Sequence, residues 1–301
     1  MRMPALAVAA GILLAAQTAR PQNQDFSKVV VKTTKLAEHI YELEGAGGNI
    51  AVSVGDDGVI LIDDQFAPLT PKIKAAVTAL SKKPIRFVIN THWHGDHTGG
   101  NENMAAAGAV IVAHDNVRKR MSTEQFVAMM NRKVPPSPEK ALPIVTFAAD
   151  VTFHFNGDDI HVTYAGPAHT DGDSIVTFTK ANVVHMGDCY MTISYPFVDL
   201  SSGGNYDGFI AAAAKVLAAA DDKTKFIPGH GDVTDKAALK GWHDMLVTIR
   251  ERVKKLVDAG KTVDDVKSAK VTAEWDAKLG SAFIKPDQLV DFVYAALKPG
   301  K

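Results

Sequence analysis

The sequence predicts an α/β protein in which two β-sheets pack face to face and helices cover their outer sides. Short β-prone runs followed by a helical pattern occur in the first half of the chain, and the same order returns in the second half. Of the 301 residues, 46% are hydrophobic, which is enough apolar surface for a large core. This composition excludes a disordered or fibrous chain.

The first half begins with four short β-prone runs separated by turns, two of which are rich in glycine, as in a meander of strands. These runs cover residues 29–31, 40–43, 49–54 and 59–62. The next segment, 69–80, has apolar side chains spaced by three or four, which predicts a helix with Pro71 in its first turn. Further strands are predicted at 85–89 and 110–112, and a helix at 116–130.

The second half repeats this plan. Strands are predicted at 151–155, 160–164, 175–178, 183–185 and 226–227. Helices are predicted at 206–219, 235–259 and 287–297. Strands followed by a helix, twice over, indicate two sheets with helices outside.

The first 20 residues have the pattern of a secretory signal peptide. Arg2 precedes an apolar run at 5–16, which is shorter than the ~20 residues of a transmembrane span, and small residues follow. We therefore expect a single domain over residues 21–301, periplasmic or secreted, with no membrane attachment after the leader is removed. The sequence has 33 Lys and Arg residues and 34 Asp and Glu residues, so no excess of positive charge favours a nucleic-acid partner.

Four side chains that can bind metal lie within six residues, directly after the strand predicted at 85–89. They are His92, His94, Asp96 and His97. Because side chains alternate along extended backbone, His92 and His94 point the same way and can hold one cation. Asp96 and His97 remain available to a second cation nearby. Imidazole and carboxylate ligands without thiolate pairs favour zinc, with iron or manganese as alternative occupants.

Three later residues offer further ligands, each in a glycine-containing loop after a short predicted strand. They are His169, Asp188 and His230. Loops on a rigid scaffold are the usual position of reactive groups. Together with the histidine cluster, these three side chains are sufficient for two metal ions.

The ordered motifs His-x-His-x-Asp-His, Gly-Pro-x-His-Thr, Gly-Asp and Pro-Gly-His-Gly resemble those of the metallo-β-lactamase superfamily, over residues 37–232. The resemblance implies an αβ/βα four-layer sandwich with two mixed β-sheets and two zinc ions at one edge of the sheets. The implied ligands of the first zinc ion are His92, His94 and His169. Those of the second are Asp96, His97 and His230, and Asp188 bridges the two ions.

Cys189, the single cysteine, follows Asp188 near the position where many lactamases of this superfamily have a zinc-binding cysteine. Adjacent side chains on a strand point in opposite directions, so only one of the two is expected to bind metal. We favour Asp188 as the ligand and Cys189 as a buried apolar neighbour. Residues 121–134 fit either an insertion over the cleft or, as the favoured interpretation, part of the core.

The leader pattern and the resemblance together imply an exported dizinc hydrolase in which water ionised by the cations attacks an activated carbonyl group of a small molecule. A β-lactam is the leading substrate class, and a lactone or thioester is the alternative. Asp96 is expected to bind metal and to orient the water. Asn205 is expected to donate a hydrogen bond to a carbonyl oxygen, although capping of the helix after it explains Asn205 at least as well.

Overall fold

The computed structural model describes residues 25–298 of the chain. The predicted signal peptide, residues 1–20, lies outside the described residues. Two large β-sheets pack against each other with helices on both outer sides, which confirms the predicted αβ/βα sandwich. Within residues 25–298, no helix combines the length and the apolar character needed to cross a membrane.

The first sheet has seven strands in the order β1-β2-β3-β4-β5-β6-β9. Its first four strands pair antiparallel, and β4, β5, β6 and β9 pair parallel. The strands are β1 (Lys32–Ala37), β2 (Ile40–Glu44), β3 (Ile50–Gly55), β4 (Gly58–Ile62), β5 (Ile85–Asn90), β6 (Val110–His114) and β9 (Val145–Phe147).

The second sheet has five strands in sequence order, antiparallel except for the parallel pair formed by its last two strands. The strands are β10 (Asp150–Phe155), β11 (Asp158–Tyr164), β12 (Ser174–Phe178), β13 (Val183–His185) and β14 (Lys225–Ile227). Both sheets are therefore mixed, as predicted.

Nine α-helices occur in the described part of the chain. They are α1 (Thr70–Leu80), α2 (Gly95–Thr98), α3 (Asn101–Ala106), α4 (Asp115–Met121), α5 (Tyr206–Ala219), α6 (Lys236–Asp258), α7 (Val263–Ser268), α8 (Ala273–Leu279) and α9 (Pro286–Leu297). The helix predicted at 206–219 is α5, with the same bounds. The helices predicted at 69–80, 235–259 and 287–297 agree with α1, α6 and α9 to within one residue at each end.

The strands at the centre of the first sheet are buried on both faces, which produces the layered core. In β4, Ile60 and Ile62 belong to the same apolar cluster as Val162 of the second sheet, whereas Leu61 belongs to the cluster that includes Ile73 of α1. The outer face of the second sheet packs against α5, α6 and α9. Because every residue of β4 is buried, all four residues after Gly58 in this strand are apolar.

The helix predicted at 116–130 is wrong beyond Met121. The Ser122 and Thr123 hydroxyls both donate to the carbonyl of Lys119, and these side-chain bonds accompany the end of α4. The chain then forms a two-stranded hairpin of β7 (Gln125–Val127) and β8 (Arg132–Val134). A single residue with left-handed backbone, Asn131 at φ 46°, precedes β8 and allows the chain to reverse.

Candidate metal centre

Four loops meet at one edge of the two sheets and bring all seven predicted ligands together. The turn after β5 provides His92 and His94, and α2 provides Asp96 and His97. The loop between β11 and β12 provides His169. Asp188 follows β13, and His230 follows β14. Carboxyl ends of neighbouring parallel strands lie at the same edge of a sheet, which is why segments distant in sequence converge here.

Three histidines form the first candidate metal-binding group, which we name the three-histidine group: His92, His94 and His169. The Nδ1 atom of His94 lies 2.7 Å from the Nε2 atom of His169. The Nε2 atom of His92 is buried and has no hydrogen-bond partner. A buried ring nitrogen with no partner is costly unless a ligand satisfies it, so this atom indicates a position for a cation.

A second group, which we name the Asp96 group, consists of Asp96, His97 and His230. The Nε2 atom of His230 lies 3.3 Å from Oδ2 of Asp96 and 3.4 Å from Nε2 of His97. His97 is fully buried, whereas the side chains of Asp96 and His230 are 29% and 22% exposed. This group therefore has one side open to solvent.

Asp188 lies between the two groups and directs one carboxylate oxygen toward each. Its Oδ2 atom is 3.4 Å from Nε2 of His169 and 4.0 Å from Nε2 of His92. Its Oδ1 atom is 3.1 Å from Nε2 of His97 and 3.4 Å from Nε2 of His230. This is the geometry needed for a carboxylate that contacts two cations.

Buried acceptors hold the outward-facing nitrogens of the histidine rings. Asp63 Oδ2 lies 2.8 Å from Nδ1 of His97, and Asp199 Oδ2 lies 3.1 Å from Nε2 of His94. The carbonyl of Phe197 lies 2.7 Å from Nδ1 of His169. An acceptor on one ring nitrogen places the proton there and leaves the other nitrogen free to bind metal.

His92 is oriented in the same way, but indirectly, through the Thr91 hydroxyl. The Thr91 hydroxyl donates to Oδ2 of Asp63 at 2.8 Å and lies 3.0 Å from Nδ1 of His92. Because the hydroxyl proton points at Asp63, its oxygen can accept the proton of His92. Asp63 therefore orients one histidine of each group.

The two sides of the centre differ in charge. Burial lowers the pKa of His92 well below its ordinary value and lowers the pKa of His169 to about 4. Burial also opposes the charged forms of His97 and His230, but the Asp188 carboxylate and its acidic neighbours outweigh burial and raise both pKa values, that of His230 to about 10. The pKa of Asp188 is well below its ordinary value, because these charged histidines outweigh the effect of burial.

These observations fit a pair of divalent cations. In the three-histidine group, the lowered pKa values of His92 and His169 favour the neutral imidazoles that zinc requires as ligands. In the Asp96 group, carboxylates already stabilise positive charge at His97 and His230, and a cation would replace those protons. All donors are nitrogen or carboxylate oxygen, a set that suits zinc and also accommodates iron or manganese.

Two glycines allow the loops to approach the centre closely. A Cβ atom on Gly229, in the Pro-Gly-His-Gly motif, would lie 2.0 Å from Oδ1 of Asp188. A Cβ atom on Gly48 would lie 2.1 Å from Cε1 of His97. Side chains at these positions would displace residues of the candidate centre, so glycine is required for close approach.

Cys189 is buried but belongs to none of the candidate metal-binding groups in the described chain. Burial, reinforced by Asp173, raises the pKa of its thiol well above the ordinary value. A cysteine that binds metal must lose its proton, and this environment opposes that loss. The structure thus brings Asp188, and not Cys189, between the two groups.

Asn205 has a different role from the predicted hydrogen bond to a carbonyl oxygen. Its Oδ1 atom accepts a hydrogen bond from the backbone N–H of Asp207 at 2.8 Å, so the side chain caps the N-terminus of α5. Asn205 is exposed and does not contribute to the cavity beside the metal-binding groups. The predicted hydrogen bond to a substrate carbonyl is therefore replaced by a local structural role.

We expect Asn205→Ala to lower the free energy of unfolding by about 1 kcal/mol, the usual cost of losing a helix cap, without changing kcat/KM. Urea unfolding and steady-state kinetics on the same preparation measure the two quantities. Asn205→Asp, which keeps a capping carboxylate, is the matched control. A decrease of kcat/KM by about tenfold or more would restore the carbonyl-binding role.

An open cavity of about 410 Å³ lies over both groups, a size typical of small-molecule sites. Five of the seven predicted ligands reach its lining: His94, Asp96, His169, Asp188 and His230. The remaining two, His92 and His97, are buried beneath them. A substrate in this cavity would therefore contact the exposed side of the centre.

Sequence reasoning missed the two carboxylates that hold the histidines, Asp63 and Asp199. Asp63 directly follows β4, so the same signal that indicated Asp188, an acidic residue after a strand, was present in the sequence. Asp199 also accepts hydrogen bonds from Ser201 and Ser202. Two other aspartates near His169 have different partners. Asp171 forms a salt bridge with Arg120, and Asp173 accepts a hydrogen bond from the backbone N–H of Thr170 within its own loop.

Comparison with known proteins identifies the family to which this chain belongs. Residues 44–230 match the family model of the metallo-beta-lactamase superfamily. The metallo-beta-lactamase type 2 of Bacillus cereus is 27% identical over 194 residues, which cover 63% of this chain and 69% of that protein. The 2,4-dinitroanisole O-demethylase subunit alpha of Nocardioides sp. (strain JS1661) is 25% identical over 180 residues, which cover 58% of this chain. The match extends over 50% of that subunit, so this chain spans about half its length.

A solved structure agrees with the fold. The metallo-beta-lactamase from Pontibacter korlensis superposes with a TM-score of 0.59 at 19% identity, covering 72% of this chain and 98% of that chain. At this identity the likeness concerns the arrangement of the sheets and helices.

Proposed function

This chain belongs to the metallo-beta-lactamase superfamily, and from that premise we propose that it is a metal-dependent hydrolase that cleaves an activated carbonyl group, with a β-lactam as the leading substrate class. The observation that carries the proposal is the position of Asp188, which directs one oxygen toward each group beneath an open cavity. The similarity to the Bacillus cereus metallo-beta-lactamase supports the choice of a β-lactam.

We propose that two zinc ions occupy the centre. His92, His94 and His169 would hold one ion, Asp96, His97 and His230 the other, and Asp188 would contact both. Bound zinc lowers the pKa of water toward neutrality and polarises a carbonyl oxygen.

The side chains of this protein would provide orientation and charge. Asp63 and Asp199 fix the rings of His97 and His94, so the free ring nitrogens keep their direction during the reaction. Asp96 lines the cavity, and His97 and His230 outweigh burial and keep the pKa of its carboxyl low. Its carboxylate can accept a hydrogen bond from water and orient that water toward the substrate.

A lactone or thioester is the second candidate substrate, and the apolar walls of the cavity support it. Trp93, Val127, Met130, Phe197 and Phe283 all line the space over the centre. Apolar walls suit an acyl compound at least as well as a compact β-lactam, which carries a carboxylate. The same metal-binding groups serve either substrate.

A small substrate panel tests the proposed function. We expect about two zinc ions per chain by elemental analysis, and hydrolysis of a chromogenic cephalosporin, a lactone or an acyl thioester that chelation abolishes and added zinc restores. Turnover of the lactone or thioester without the cephalosporin would reject the β-lactam assignment. A protein that holds two metal ions and hydrolyses no member of the panel would reject the proposal as a whole.

A further inference from the structure

The hairpin of β7 and β8 forms one wall of the cavity and separates its side chains into two sets. Val127 pairs with Arg132, and Gln125 pairs with Val134, and all four residues line the cavity. Because strand side chains alternate, Phe126 points to the opposite face, where it is 48% exposed. The hairpin therefore presents two valines to the space over the metal-binding groups.

Three large apolar side chains around this cavity are unusually exposed. Met130, Ile193 and Phe283 are 42%, 56% and 54% exposed, and each comes from a different segment of the chain. Met130 follows β7, Ile193 lies in the loop after Asp188, and Phe283 lies between α8 and α9. Exposed apolar side chains that converge on one concave surface indicate a binding groove.

This apolar surface continues into the candidate centre without a break. Phe197 is buried, its ring stacks at 5.9 Å on that of His94, and it contacts the ring of Phe283 at 5.8 Å. A chain of apolar contacts thus leads from a predicted metal ligand to the mouth of the cavity. A molecule whose reacting group lies over Asp188 would extend its remaining part along this surface.

Two arginines belong to the lining: Arg132 is exposed on the hairpin, whereas Arg120 is engaged in hydrogen bonds. Arg120 donates to both carboxylate oxygens of Asp171 at 2.6 and 2.7 Å and to the side chain of Gln125. A guanidinium engaged in this way is not free to bind a charged substituent deep in the cavity. The recognition surface beyond the metal-binding groups is therefore mainly apolar.

We propose that the substrate carries an apolar chain, an alkyl or aryl substituent of the carbonyl compound, that lies between the β7–β8 hairpin and Phe283. This inference rests on the proposed carbonyl hydrolysis for the position of the reacting group. The apolar chain covers Met130, Ile193 and Phe283, and burial of these surfaces is the source of its affinity. The hairpin is then an element of substrate specificity.

Binding of neutral alcohols to the zinc-loaded protein tests this subsite without any hydrolysis. We expect Kd, measured by calorimetry, to fall from 1-butanol to 1-hexanol to 1-octanol. Full burial corresponds to roughly fourfold per methylene, and partial burial still gives about tenfold or more from butanol to octanol. A Kd that does not depend on chain length would overturn the inference.

Matched variants locate the subsite. Met130→Ser and Phe283→Ser are expected to reduce the ratio of the butanol and octanol Kd values by about threefold or more. Phe126→Ser removes a similarly exposed apolar side chain from the outer face of the same hairpin and is expected to leave that ratio unchanged. An equal effect of Phe126→Ser would show that the chain binds elsewhere, and thermal unfolding of each variant verifies that it is folded.

Acyl thioesters from butanoyl to decanoyl separate this inference from the proposed function. We expect kcat/KM to rise with chain length in the unmodified protein and to rise less steeply in Phe283→Ser. Hydrolysis with no dependence on chain length would reject the apolar subsite alone. Chain-length-dependent alcohol binding without hydrolysis of any carbonyl compound would reject the proposed function and retain the subsite.

Discussion

Replacing Asp188 with alanine is expected to lower kcat/KM for the hydrolysed substrate by about 10³-fold, the equivalent of losing several kcal/mol of charge stabilisation. Asp188 directs an oxygen toward each metal-binding group, so its loss removes a ligand from both proposed cations. The remaining histidines also lose the carboxylate that stabilises positive charge among them. Steady-state kinetics and the zinc content per chain measure the two consequences.

Asp158→Ala is the control for this substitution. Asp158 is buried to nearly the same extent as Asp188, at 8% against 7% exposed, and accepts from the backbone N–H groups of Lys180 and Ala181. Its loss should lower stability without affecting zinc content or kcat/KM. An Asp188→Ala protein that keeps two zinc ions and loses less than about tenfold in kcat/KM would contradict the bridging role.

Replacing Asp63 with alanine is expected to lower the free energy of unfolding by about 3–5 kcal/mol and zinc affinity by about 10- to 100-fold. Asp63 is fully buried and accepts from the backbone N–H and the hydroxyl of Thr91, and its carboxylate also lies 2.8 Å from Nδ1 of His97. Alanine would leave all three groups buried without an acceptor. Chemical denaturation and competition with a chromophoric chelator measure the two effects.

Two asparagine variants separate positioning of the ligands from general stability. Asp63→Asn retains an oxygen for the Thr91 N–H but presents an amide to His97, so zinc affinity should fall more than stability does. Asp64→Asn alters the next buried carboxyl, whose pKa burial raises well above its ordinary value, so an uncharged amide is a close replacement. Zinc affinity unchanged in Asp63→Asn, or reduced as much in Asp64→Asn, would show that Asp63 does not position the histidines.

Several features of the fold could be predicted because they depend on local patterns. The helical periodicity of 69–80 identified α1, since an amphipathic helix shows its buried face in the spacing of apolar residues. The helix predicted at 116–130 was wrong after Met121, although Phe126, Met129 and Met130 have helical spacing. These side chains lie in different environments, since Phe126 faces solvent and Met130 lines the cavity. The spacing of apolar residues alone does not distinguish such a hairpin from a helix.

By itself, the sequence determined the chemistry of the candidate centre. Ligand type is a property of each side chain, and loops after strands bring such side chains to one edge, so His92, His169, Asp188 and His230 could be singled out before their distances were known. Only the tertiary structure decided that Asp63 and Asp199 hold the rings and that a hairpin forms one wall of an apolar cavity. Those roles depend on contacts between segments that are distant in sequence, such as His94 and Asp199, which lie 105 residues apart. Local residue patterns do not predict such contacts.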